Sequence, residues 1–356
     1  NQLDYIDPVT IPADISYGRW PDGSDTLKYF SEPTPGAANQ SSTAYDQWLQ
    51  PPVFSHSGGF YASALQLSLS TQHDDAIILY TLDGSTPDPD NLNGTTYQYK
   101  ISYRQNQNHT AGPLLERTFT TLAYETPVHI QDRSPQPNQI ANISSTFHHN
   151  PFYFPSSPIS KATVVKARVV KEGALSSEVI SHTYFVNSQG ANLFTLPVIS
   201  ISVSESDLFD FQKGIYTAGK IFEDWRNANP SATANGGSPA NYNQRGTDWE
   251  IEGHMELYEP TGHQAFSQGM GFRIHGGWSR EHPMKSLRLL ARNAYGKNTI
   301  DYPFFRDRPY SSFRRLLLRN SGNDFYYTMF RDAAIQEMVR HLDFDTQAYE
   351  PAIVYL

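Results

Sequence analysis

Apolar and polar residues alternate with period two in a series of short runs along this chain, and that period predicts strands. Leu65-Gln66-Leu67-Ser68-Leu69-Ser70 alternates strictly. Residues 77–82 form a second run, closed by Asp83-Gly84. Residues 161–170 form a third, closed by Glu172-Gly173, and 179–186 a fourth. Short strands separated by Asp-Gly and Gly turns predict a β-sandwich without a long helix over 51–187. Alternation resumes at 196–203, 254–259, 271–275, 286–291 and 314–319, and the apolar run 352–356 reads as one more strand. One helical pattern stands apart, from Tyr327 to His341, with Met329, Ala333, Gln336, Glu337 and Arg340 at turn spacing. Residues 226–246 are rich in Asn, Ser, Gly and Pro and read as a surface loop.

These patterns divide the 356 residues into segments. A first covers 1–39, a polar linker 40–50, a β module 51–187 and a third segment 195–356. Residues of about 100–157 form a long polar insertion in the β module. Aromatics make up 13% of the chain, with 22 Tyr and 20 Phe, enough to build cores and to exclude a disordered chain. The net charge is -9 with no basic stripe, which argues against nucleic-acid binding. No run of about 18 apolar residues is present to span a bilayer. The absence of cysteine excludes disulfides and thiolate metal sites. The chain opens on Asn1 and ends on an apolar run, so a piece of a longer protein is expected.

Three resemblances add to this reading. Residues 16–25 with Pro21-Asp22-Gly23, then Tyr29-Phe30 and Thr34-Pro35-Gly36-Ala37-Ala38-Asn39, resemble the final strands of a lamin-tail-type Ig-like domain. Tyr80-Thr81-Leu82-Asp83-Gly84-Ser85-Thr86-Pro87, followed by 166–186, resembles the chitobiase/β-hexosaminidase C-terminal module. That likeness implies an accessory module and no hydrolase activity, since a catalytic barrel and its carboxylate pair are absent. In the third segment, Gly214-Ile215-Tyr216, residues 271–279, Lys285-Ser286-Leu287-Arg288-Leu289, residues 300–305 and residues 318–324 occur in order. Together they resemble the N-terminal part of the CotH (spore coat protein H) kinase family. That the protein is exported is what these module resemblances imply. The expected fold is mainly β with an α+β C-terminal part: an Ig-like β-sandwich followed by an incomplete kinase-like lobe.

The residues suggest a chemistry of their own. Gly276-Gly277 between two strands lets a ligand approach the backbone, and Lys285 opens the next strand. The CotH resemblance implies that Lys285 is the ATP-phosphate lysine, with Ser279 and Arg273 nearby. It implies Glu337 as the helix carboxylate that holds the lysine, with Asp332 second. It also implies ATP and Mg2+ or Mn2+ as cofactors and a protein hydroxyl as acceptor. In that family the metal-holding and nucleophile-orienting residues lie later in the domain. No catalytic residue is therefore assigned here, and this stretch alone is expected to be inactive. No metal ligand is assigned either. Asp83, Asp88 and Asp90 read as a hairpin turn, and His148-His149 and His275/His282 lack an acidic partner. The rival expectation is a cell-surface adhesion or carbohydrate-binding protein with a structural kinase-like lobe. In it Trp48, Phe54, Tyr61, Phe152, Tyr153 and Phe154 are the rings available to stack on sugars. Partners are then a protein substrate or a polysaccharide at the cell surface.

Overall fold

The computed structural model describes residues 5–9, 11 and 15–356, and the rest of the 1–39 segment lies outside them. The fold is mainly β. Strands β1 (Ser16–Arg19) and β2 (Leu27–Phe30) form a hairpin, and β3 (Ala44–Tyr45) pairs antiparallel with β2. β3 lies inside the stretch expected to be a linker, so part of 40–50 belongs to this small sheet.

The sandwich follows. One sheet holds β4 (Gly59–Tyr61), β5 (Ile77–Thr81), β6 (Leu122–Ala123), β7 (Thr163–Val170) and β8 (Ile180–Val186). Their order is β6-β5-β7-β8-β4, with only β8 and β4 parallel. The alternating run 65–70 splits into two short strands. Leu65–Leu67 pairs with Val128–Ile130, and Leu69–Ser70 with Val53–Phe54. Leu67, Leu69, Val128 and Ile130 share one buried core with Ile78, Val165, Ala167 and Val169. Among the described residues 51–187 contain no α-helix. β7 and β8 are buried on both faces: Val165, Ala167 and Val169 face the sandwich core, while Lys166, Ser181 and Thr183 lie against the next sheet.

That second sheet has six strands: β9 (Val198–Val203), β10 (Ile251–Tyr258), β11 (Gln264–His275), β12 (Ser286–Leu290), β13 (Arg315–Leu318) and β14 (Ile353–Tyr355). The order is β13-β12-β11-β10-β9-β14, antiparallel except for β9 and β14. Helices α1 (Glu205–Phe209) and α2 (Gly219–Ala228) cover one face. Phe209, Ile215, Tyr216 and Phe222 pack there against Ile201, Met255, Met270, Phe272 and Leu289.

Three expectations change here. α2 was not foreseen: its apolar face is only Phe222 and Trp225, too little to stand out in a polar sequence. Residues 229–246 are irregular but not a simple surface loop, because Ala234, Ala240 and Tyr242 are buried in the core. The predicted helix 327–341 shrinks to α3 (Arg331–Met338). The chain before it turns through Met329 at φ +61, and the Asp324 carboxylate accepts the Thr328 and Arg331 amides.

The insertion 100–157 also departs from expectation. Its Tyr103, Ile143 and Phe147, with Tyr97 just before it, enter the core of the six-stranded sheet and not that of the sandwich. Tyr97 belongs to a hairpin of Thr95–Tyr99 and Leu115–Phe119.

Candidate functional site

The site grows from the connection between β11 and β12. β11 ends at His275, and Gly276 follows at φ +121, a conformation that favours glycine. A Cβ there would lie 2.7 Å from Ser279 Oγ. A turn over Trp278–Glu281 then leads to Lys285, immediately before β12. Arg280 is buried beneath the turn. Its guanidinium donates to the carbonyls of Gly276, Ile274, Tyr242 and Gln244, at 2.8, 2.8, 2.9 and 2.8 Å. Burial, then the neighbouring Arg245 and Arg288, lower its pKa to about 10.

Lys285 is only 4% exposed and its side chain turns inward. Its ammonium donates to the Arg280 carbonyl at 2.6 Å and the His282 carbonyl at 3.2 Å. It lies 4.0 Å from the centroid of the Tyr242 ring and 5.4 Å from that of Tyr216, positions that favour a cation. Its own backbone N–H donates to Tyr216 Oη at 2.8 Å. Burial drives the Lys285 pKa well below the ordinary lysine value, opposed by Glu281 and reinforced by Arg280. Asn320 braces the same stretch: it accepts from Ser286 Oγ at 2.9 Å and donates to the Met284 carbonyl at 2.7 Å.

Gly276, Gly277, Ser279 and Lys285 are thus neighbours around one turn. Arg273 and Glu337 are engaged elsewhere. Arg273 donates to the buried Glu250 at 2.6 Å, in a network that includes Arg292 and Tyr295. Burial pushes the Glu250 carboxyl up, but Arg292 and Arg273 outweigh it and hold it below its usual value. Glu337 pairs with Arg340 on the exposed α3, and Asp332 pairs with Arg319. The carboxylate whose charge reaches Lys285 is Glu281.

One feature escaped the sequence reading. Arg273 and His275 on β11 share a sheet face with Arg288 on β12, since Arg273 stands opposite Arg288 in the register. Arg288 donates to His275 Nδ1 at 3.0 Å, and Arg245 donates to the Gly276 carbonyl at 3.2 Å. Burial, then the charges of Arg288, Arg280, Arg319 and Arg245, lower the His275 pKa. Among the described residues neither Arg245 nor Arg288 forms an ion pair with a carboxylate; their observed partners are the Gly276 carbonyl and His275. This is a local cationic cluster on a chain of net charge -9. The signal was present as arginines on the polar phase of two neighbouring strands.

Residues 272–356 match the family model of the CotH kinase protein. Residues 56–111 match that of the chitobiase/beta-hexosaminidase C-terminal domain. Comparison with curated proteins and with solved structures finds no match. The CotH match opens inside β11 and takes in the glycine turn, Lys285, Arg288, β13 and α3. The chitobiase-type match ends within the 100–157 insertion.

The donor set around the CotH-type turn suits phosphate oxygens: two guanidiniums without carboxylate partners among the described residues, beside a turn opened by Gly276-Gly277. Among the described residues no three His, Asp or Glu side chains come together to hold a metal ion, so no step through a metal is derived. Of the rings considered for sugar stacking, Phe152 alone is exposed, while Phe54 and Tyr61 pack on the sandwich core. Among the described residues no helix is long and apolar enough to cross a membrane.

Proposed function

We propose that this chain carries the nucleotide-binding part of a CotH-type protein kinase and that its glycine turn receives the phosphates of ATP. The observation that carries the reading is a coincidence of two independent findings. The CotH-type match covers the same turn beside which Arg245 and Arg288 lie, neither of them ion-paired among the described residues, on an otherwise acidic chain. Phosphates are recognised by such guanidiniums and by exposed backbone N–H groups. In this reading Arg245 and Arg288 contact phosphate, while Lys285 holds the carbonyls of Arg280 and His282 and so fixes the turn. Mg2+ or Mn2+ accompanies the nucleotide, and a protein hydroxyl is the acceptor in the complete enzyme. An exported, surface-associated setting with a lamin-tail-type module at 1–39 belongs to the same proposal. It is supported by the β hairpin Ser16–Phe30 and by the chitobiase-type neighbour.

Calorimetric titration of the chain with ATP tests the reading. Saturable binding that weakens with salt is expected, because the contacts are ionic. Arg288→Ala is expected to weaken binding by about tenfold or more, the value of one charge-assisted hydrogen bond. No ATP binding at millimolar nucleotide, with or without Mg2+ or Mn2+, would sink it.

A further inference from the structure

The insertion of the chitobiase-type module reaches the Lys285 site by two separate hydrogen-bonded routes. Ser145 Oγ donates to the Pro283 carbonyl at 2.8 Å, two residues before Lys285. The Ser144 carbonyl accepts from Thr217 Oγ1 at 3.1 Å, and Thr217 adjoins Tyr216, whose hydroxyl receives the Lys285 N–H. Tyr103 closes this second route, its hydroxyl 2.7 Å from Thr217 Oγ1 and 3.0 Å from the Gly219 amide. Ser144, Ser145, Thr146, Thr217 and Tyr103 are all buried, so water does not compete for these bonds.

The turn that presents Ser145 is itself fixed from within. Tyr153 Oη accepts the Ser145 amide at 3.0 Å and lies 3.1 Å from Thr146 Oγ1 and 3.3 Å from Ser144 Oγ. Lys100, at the base of the insertion, pairs with Glu223 on α2 and rests on the Phe211 ring. Burial, then the charge of Lys285, lower the His148 pKa, which places His148 within electrostatic reach of that ammonium.

We infer that Ser145 and Tyr153, residues of the neighbouring module, are positioning residues for the Lys285 loop, so that two modules build one site. The insertion acts through Pro283 and Tyr216 and touches no phosphate itself. Three braces converge on the loop: Ser145 at Pro283, Tyr216 at the Lys285 amide and Asn320 at Met284. The consequence for ATP affinity rests on the function proposed above; the mechanical coupling does not.

Amide hydrogen exchange on the full chain, read residue by residue, decides the matter alongside ATP titration of the same variants. Ser145→Ala removes the donor to Pro283, Ser145→Thr keeps a hydroxyl, and Tyr153→Phe loosens the turn. Ser145→Ala is expected to speed exchange of the Lys285 amide by about tenfold, the equivalent of one hydrogen bond. Exchange in β10 should not change, and Ser145→Thr should restore protection. Tyr153→Phe should give the same local pattern. Where the parent chain binds ATP, affinity should fall in step with the lost protection. An unchanged Lys285 amide in both Ser145→Ala and Tyr153→Phe overturns the inference. So does a loss of protection spread evenly over β10 and β12, which marks a structural role only. A parent chain that binds no ATP refutes the proposed function, while the exchange data still decide the coupling.

Discussion

Lys166 of β7 donates its ammonium to the Ser202 carbonyl of β9, 3.1 Å away across the boundary between the two sheets. The same ammonium donates to the Gly84 carbonyl at 2.7 Å. Around it the seam is polar and mostly paired, with His182 Nδ1 buried 3.8 Å from the Glu256 carboxylate and without a hydrogen bond. Thr183 Oγ1 lies 2.8 Å from Ser200 Oγ and also meets the Glu256 carboxylate, which accepts from Tyr258 Oη at 2.9 Å. Burying these groups without partners would cost several kcal/mol, on the order of 1–3 for each. Their pairing fixes how the sheets meet.

Lys166 makes stability depend on alkaline pH. Burial lowers its pKa to about 8, although Glu252, Asp83, Glu256 and Asp207 pull it upward. Between about 8 and the unfolded value near 10.4 the unfolded chain binds more protons at this residue than the folded one. Stability from this group therefore rises with pH across that window, by about 3 kcal/mol in full. The buried tyrosines work in the opposite direction above about pH 10. Comparison with Lys166→Met isolates the lysine. In urea titrations from pH 7.5 to 9.5, the parent should gain stability relative to Lys166→Met. A constant difference would refute the assignment.

His254 gives the corresponding effect in acid. Burial lowers its pKa to about 4, with Lys166 and His182 helping and Glu256 opposing. Its Nε2 lies 2.7 Å from Ser267 Oγ. The folded chain keeps this imidazole neutral, while the unfolded chain protonates it near 6.5. Stability should thus fall as pH drops from about 6.5 to 4, by on the order of 2–3 kcal/mol. His254→Gln should flatten that part of the curve. An unaltered slope in the variant would assign the acid sensitivity to other groups.

Period-two alternation located the strands because each sheet buries one face in an apolar core. The strands of the six-stranded sheet start or end within a few residues of where the pattern put them. Alternation alone does not place Lys166, Ser181 and Thr183, polar side chains that are buried in the seam. Nothing local distinguishes a polar residue against water from one against a second sheet. The glycine turn and Lys285 were legible together, since both belong to one short motif. The inward course of Lys285 was not, because the carbonyls it binds are presented by a turn whose shape depends on Arg280 and Tyr242. Glu337 was drawn toward Lys285 by analogy with a kinase helix; its observed partner is Arg340. The support from Ser145 and Tyr153 was hidden because it crosses 138 residues of chain.

The Asp83-Gly84 turn owes its glycine to the neighbouring sheet as well as to its own hairpin. Gly84 has φ +79, and a Cβ there would lie 2.4 Å from the Val203 carbonyl oxygen of β9. Gly173 has a similar φ of +72 with open space around it. Gly173→Ala should therefore cost only the backbone term of about 1–2 kcal/mol. Gly84→Ala should cost more than that, because the clash is with backbone and strains the seam beside Lys166. Chemical denaturation of the two variants measures the difference. Equal costs would show that the sheets separate easily at this point.

The two modules should also unfold together. Tyr103, Ile143 and Phe147 leave the sandwich and fill the core of the six-stranded sheet beside Tyr216, Phe222 and Tyr242. Truncating one such aromatic typically costs about 3–5 kcal/mol, so removing all of them exceeds the stability of most domains. The connection between the modules, by contrast, is a short exposed stretch at Ser188-Gln189. A protease site placed there should be cut without parting the halves. Scanning calorimetry of the uncut chain should give a single transition for 51–356, with equal calorimetric and van't Hoff enthalpies. After cleavage, the two pieces should co-elute in gel filtration until denaturant is added. Two resolved transitions, or pieces that separate in native buffer, would mean that the insertion packs too weakly to join the cores. The coupling between Ser145 and Lys285 would then have no rigid frame to act through.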